Sequence, residues 1–340
     1  MPHDYHAGRS GLLHRAVGAV VLSLGFTLGA CAADQAAAPP APDTAPATAP
    51  RDAAGKLPPE MAQALQKAQA LPAKEQEKLL NAAALEWLKK DPTAALAWAH
   101  QLPSGLNKTH LYTVGRCGEL HGKVTADWCL QNKKYGSLHY AIHFWANVDP
   151  AAALQWDLQA PEEVRHLLLA STGDGWTYKD PVAATKGFAE VKRPEDRRSM
   201  AYGICKAWTW SHPEEAPTAA AWALDLKAQE ERLSALYGIG QGWSRHYLLE
   251  ATAWIKTLKN PEEVRATAYG VVKMLQTNLV EIQKGAGKAK PPAGEAVEHY
   301  KAAYAKEWLD QLPLSDAEKA AILDGPAISM KDTGKVPWPK

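Results

Sequence analysis

Phenylalanine is scarce in this chain and tryptophan is not: 3 Phe stand against 13 Trp in 340 residues, so the larger ring serves a particular geometry. Charge of one sign is also missing. The formal net charge is +1 at pH 7, and no stretch gathers the Lys and Arg that a phosphate backbone requires, which removes nucleic acid as a partner. Catalytic signatures are absent as well. There is no HExxH, no GxSxG and no Ser/His/Asp order to defend. "STGDGW", residues 171–176, has glycines but neither the preceding strand nor the Lys of a phosphate loop, and reads as close helix packing. These absences predict a non-catalytic chain with no cofactor.

Long apolar runs are confined to the first thirty residues. Arg9 and Arg15 flank a polar start, and "AVGAVVLSLGFTLGA" follows, an apolar run of about fifteen residues. That is short for a membrane span and suits the core of a signal peptide. The run ends in "LGAC", which resembles the lipobox of bacterial lipoproteins. The resemblance implies cleavage before Cys31, lipid on Cys31, and a chain anchored in the cell envelope. Ala32 and Ala33 follow the cysteine where an Asp would favour the inner membrane, so the outer membrane or periplasm is expected. Residues 31–57 are rich in Ala and Pro with almost no large apolar side chain, a composition that cannot build a core. Such a segment is an extended tether, with a full reach of roughly 70 Å at about 3.1 Å per residue.

What the chain does have is a sentence written several times. "WLKKDPTAALAWAHQLP" from Trp87 and "WANVDPAAALQWDLQAP" from Trp145 share a Trp, an Asp-Pro, an Ala pair, a second Trp and a closing Pro. Trp176/Asp180 repeats the opening, and Trp208/His212 and Trp243/Tyr247 keep its phase in degraded form. A weak copy surrounds Trp128. Upstream, "AYGICKAW" and "LYGIGQGW" end at Trp208 and Trp243, and "AYGVVKML" ends at Leu275. Eleven residues before three of the tryptophans stands an arginine (Arg165, Arg197, Arg232) preceded by acidic residues. Copies recur about every thirty residues.

Each copy has the physics of a helical hairpin. Acidic residues and a proline suit the start of the first helix, where free amides favour negative charge. Asp91, Asp149 and Asp180 then fit N-caps of a second helix, each with Pro at its first position. Ala95, Trp98, Ala99 and Leu102 form one apolar stripe on that second helix, and Pro103 ends it. A hairpin of this kind buries its faces only by stacking on neighbours. The predicted fold is therefore all-α, an α-solenoid of about seven helical hairpins over residues 58–325, with a loop insertion at 281–295. A final helix runs from Ser315 to Gly325, and residues 326–340 form a tail. The architecture resembles tetratricopeptide and HEAT-like repeat proteins, although the period drifts and the regular proline opens the second helix. That resemblance implies a superhelix that binds a protein or peptide, and no individual residues are carried over from it.

Eleven of the 13 tryptophans fall on the two repeat positions, and a residue in phase with the fold is expected to be packing. The competing expectation is a ladder of exposed rings that binds cell-wall carbohydrate or serves an enzyme acting on envelope glycan. Trp210 lies off the pattern, and with Tyr202 and Tyr237 it makes the candidate binding set. His139 and His143, at i and i+4, make a weak metal-ligand pair lacking a third and fourth ligand. Cys117 and Cys129 are twelve apart, close to the spacing of the paired tryptophans, so a disulfide between them is expected in an oxidising envelope.

Overall fold

The computed structural model describes residues 57–285 and 297–325, with side chains over 57–276 and 303–325. Cys31, the tether and the tail all lie outside these residues. Among the described residues the fold is all-α, as expected, with no strand. In chain order the helices are α1 Pro59–Ala68, α2 Ala73–Leu88, α3 Pro92–Ala99, α4 Asn107–Gln131 and α5 Tyr135–Val148. Then come α6 Pro150–Gln159, α7 Glu162–Lys179, α8 Pro181–Gly187, α9 Pro194–Ser211 and α10 Ala216–Asp225. The last five are α11 Gln229–Ser244, α12 Leu248–Ile255, α13 Pro261–Gly285, α14 Val297–Leu309 and α15 Asp316–Asp324.

Long and short helices alternate, and the long ones (α4, α5, α7, α9, α11, α13) pack each on the next. The Asp-Pro signal acts as predicted. Asp91 accepts from the Ala94 amide at 3.0 Å, Asp149 from Ala152 at 3.1 Å and Asp180 from Ala183 at 2.9 Å. Each capped helix carries Pro at its start. The weak copy hides a turn inside α4, where His121 leaves helical geometry with φ −140° and ψ 45°. His121 stands seven residues before Trp128, as Asp91 does before Trp98. Ser315 closes a capping box with Glu318 at the start of α15, which ends at Gly325. The first helix expected at 265–277 is longer than predicted, because α13 runs on to Gly285.

The tryptophans meet across three of the hairpins. Ring centroids lie 5.9 Å apart for Trp87–Trp98, 6.4 Å for Trp145–Trp156 and 5.6 Å for Trp243–Trp254, all tilted. Of the eleven repeat tryptophans, five are buried, six are half-buried and none is fully exposed. Packing is their role, and truncation of a buried one costs ~3–5 kcal/mol. Three hairpins lack one tryptophan, the last of them carrying Leu275 at its first position. Gly187 takes the second position beside Trp176, whose ring fills the space a side chain would need. Cys117 takes the first position of the weak copy and shares a cluster with Trp128.

That placement corrects the disulfide expectation: Cys117 and Cys129 are free, buried thiols. Cys117 faces Trp128 and accepts from the Thr125 hydroxyl at 3.0 Å. Cys129, one residue beyond Trp128, turns about 100° further round the helix into a different cluster.

Candidate functional site

Four residues along a helix return a side chain to the same face. Counting from the first tryptophan of each copy, the positions six before, two before and two after lie on one face of every long helix. On α5 these are His139, His143 and Asn147; on α7, Ala170, Asp174 and Tyr178; on α9, Tyr202, Lys206 and Trp210; on α11, Tyr237, Gln241 and Arg245. Tyr269 and Lys273 continue the series on α13. The candidate residues Trp210, Tyr202, Tyr237, His139 and His143 therefore all belong to one face that crosses successive helices.

Glycine makes this face continuous. In the Tyr-Gly blocks a Cβ at Gly203 would collide with the Ala170 carbonyl, and one at Gly238 would lie 2.7 Å from the Tyr202 carbonyl. Neighbouring long helices approach closely there, and the tyrosines before the glycines stack. Tyr202–Tyr237 and Tyr237–Tyr269 each have centroids 5.6 Å apart. Gly173 and Gly175, in the stretch read as packing, likewise abut the Met200 and His143 carbonyls.

The tyrosines form a floor, not a stacking surface. Tyr202 is 3% exposed and Tyr237 1%, so the expectation that their rings contact a ligand is corrected by burial. Their hydroxyls hold Gln241: Tyr202 donates to Oε1 at 2.7 Å, and Nε2 donates to the Tyr237 hydroxyl at 3.0 Å. Beside this floor runs a half-buried charge relay. Asp174 Oδ1 lies 3.4 Å from His143 Nδ1, and Asp174 Oδ2 lies 3.4 Å from Lys206 Nζ. Burial works to raise the Asp174 pKa, but Lys206 and His143 outweigh it and hold the carboxyl at about 2. Burial likewise opposes the Lys206 charge, and Tyr202 and Asp174 raise its pKa in spite of it. Trp210, half-buried, carries the Arg245 guanidinium 3.6 Å from its ring centre and the His246 ring at 6.3 Å.

The row ends where the array ends. Lys273 donates to the Gly325 carbonyl at 2.6 Å and the Leu323 carbonyl at 3.3 Å, closing the last turn of α15. Burial lowers its pKa to about 8. The arginines eleven before the tryptophans, by contrast, sit at the helix starts and bind carbonyls of the preceding short segment. Arg165 donates to Ala160, Arg197 to Val191 and Arg232 to Leu226. They also reach the next long helix: Arg165 lies 3.7 Å from Asp196, Arg197 2.6 Å from Glu231 and Arg232 2.9 Å from Glu263. The acidic helix starts therefore serve as rungs between repeats, a role that reading them as dipole partners missed. A partner one period downstream was the signal.

Among the described residues His139 and His143 belong to no group of three potential ligands, and His143 Nδ1 lies against Asp174. The group of three potential metal ligands among the described residues is His212, Glu214 and Glu215, whose ligand atoms lie within 4.8 Å of one another. The buried thiols are poor nucleophiles: burial pushes Cys117 up to about 11 and Cys129 to about 12, and raises Cys205 further. The face thus presents fixed charges, amides and one half-open indole, a set suited to binding. No protein-family model, curated protein or solved structure matches the chain.

Proposed function

We propose that residues 58–325 form an α-solenoid of about seven helical hairpins that binds an extended protein or peptide segment across the common face of its long helices. The chain is carried at the cell envelope by lipid on Cys31, on the outer-membrane or periplasmic side, with residues 31–57 as a tether. The observation that carries the reading is the recurrence of polar and aromatic side chains at the same three positions from α5 to α11. His143, Asp174, Lys206 and Gln241 line successive helices with half-buried polar groups held in place by one another and by the Tyr202 and Tyr237 hydroxyls, a fixed polar surface of the kind on which repeat folds bind extended segments. Trp210 with Arg245 supplies the aromatic-guanidinium surface that anchors interfaces. A glycan ladder is disfavoured because the rings it would use pack inside the hairpins.

The test replaces Trp210 with a photo-crosslinking amino acid in the full-length chain and, separately, does the same at Ala221, exposed on α10. Reproducible capture of one protein at 210 but not at 221 supports the reading. Capture of glycan, of nothing, or of the same proteins at both positions overturns it. Cys31→Ser should move the chain from the membrane fraction to the soluble fraction.

A further inference from the structure

The turn between α9 and α10 departs from its siblings in three ways. Where the other strong copies have an Asp cap, it has His212, whose side chain caps nothing. It carries a 3-10 turn, Pro213–Glu215, before the short helix begins, so Trp222 comes ten residues after the turn residue where Trp98 and Trp156 come seven after theirs. Its acidic pair is also unlike the others. Glu230 and Glu231 meet Arg198 and Arg197, and Glu262 and Glu263 meet Arg265 and Arg232. Glu214 and Glu215 meet no lysine or arginine among the described residues. Two adjacent carboxylates and an imidazole thus offer ligand atoms that all lie within 4.8 Å of one another.

Two of the three also meet groups outside the cluster. The Trp208 indole donates to Glu215 Oε2 at 2.7 Å, which leaves the other carboxylate oxygen open. His212 Nε2 lies 3.4 Å from the Tyr178 carbonyl on α7. A ring that donates there keeps its lone pair on Nδ1, the arrangement by which protein ligands are oriented toward a metal.

We propose that His212, Glu214 and Glu215 bind one divalent cation of the zinc class. An imidazole with two carboxylates suits zinc and its neighbours, whereas calcium and magnesium prefer six or more oxygens. Three protein ligands leave one coordination position of a tetrahedral ion for water or for a donor from outside the chain. The ion ties the turn of α9 to Tyr178 on the preceding long helix, next to Trp210.

The test is a titration of zinc chloride into the full chain, prepared without a histidine tag and stripped with chelator, followed by calorimetry. The readout is the difference between the wild type and the variant His212→Ala, Glu214→Gln, Glu215→Gln. These side chains lie on the surface of a turn, and unchanged far-ultraviolet circular dichroism and melting in chelator establish that the variant folds. The wild type should hold about one more zinc per chain than the variant. The single change Glu215→Gln, whose side-chain oxygen still accepts from the Trp208 indole, should weaken that site ten-fold or more. Equal stoichiometry and affinity in wild type and triple variant would overturn the proposal, as would loss of the site on His139→Ala with His143→Ala instead.

Discussion

The segment from α7 to α13 and the segment from α2 to α5 solve the same packing problem with different chemistry. In the first, arginines at the helix starts pin each repeat to the next, and Tyr-Gly blocks bring the long helices into close register. In the second no such rungs recur. His100 stacks on Trp128 with centroids 5.3 Å apart and meets His110 edge-on at 4.5 Å, while Cys117 fills a tryptophan position. Regular repeats can share one device because each interface is a copy of the last. Where the copy degrades, the interface is filled by local substitutes, and those substitutes titrate.

Breaking the register should have the largest effect. Gly203→Ala places a methyl against the Ala170 carbonyl, which cannot retreat without moving α7. The expected loss is about 3 kcal/mol in denaturant unfolding. Gly136→Ala in α5 is its counterpart, with nothing within 4 Å, and should instead stabilise by up to ~1 kcal/mol through helix propensity. Equal effects at the two positions would remove close approach as the reason for the Tyr-Gly blocks.

The rungs come next. Arg197 donates to both Glu231 oxygens, at 2.6 and 3.0 Å, and to the Val191 carbonyl, and its guanidinium lies 4.1 Å from the Phe188 ring centre. Arg197→Met strands a buried Glu231 and should cost about 3 kcal/mol. Lys227→Met removes an exposed pair with Asp225 and should leave the melting temperature unchanged within error. If both substitutions are silent, the ladder contributes geometry but no stability.

The hairpins were legible because their signals are local. Asp followed by Pro, a tryptophan four before and another seven after need only a few neighbouring residues to act, and the caps formed where expected. The shared face of the long helices was harder to read because its residues share a position and not an identity. His143, Asp174, Lys206 and Gln241 look unrelated until the copies are aligned on the following tryptophan. Their meaning depends on the next helix, about thirty residues away, as does that of Arg197 and Glu231. The cysteine pair misled for the same reason. Twelve residues resembled the eleven of the tryptophan pair, but one residue of helix turns a side chain through about 100°, and Cys129 faces another cluster.

The comparison sharpens under pH, where two buried groups should give slopes of opposite sign. His100 is held neutral by burial first, and by His110 and Lys134 beside it, with its pKa lowered to about 4. The unfolded chain protonates this ring near 6.5, so stability is complete above that value and is lost as pH falls from 6.5 toward 4. His100→Phe should flatten this limb. Asp157, on α6, behaves in reverse. It is fully buried with only the Thr172 hydroxyl on Oδ2 at 2.5 Å, and its Oδ1 has no partner. Burial drives its pKa well above the ordinary value, against the smaller lowering by Thr172. The unfolded carboxyl ionises near 3.9, so the stability Asp157 provides is present below that value and falls as pH rises above it. Asp157→Asn should therefore be more stable than the parent at pH 7 and indistinguishable from it near pH 3. Unfolding midpoints of the two variants across pH 3–8 test both signs at once. A parallel shift of both curves would mean that neither group titrates with folding, and that the degraded interface around His100 is distinguished by shape alone.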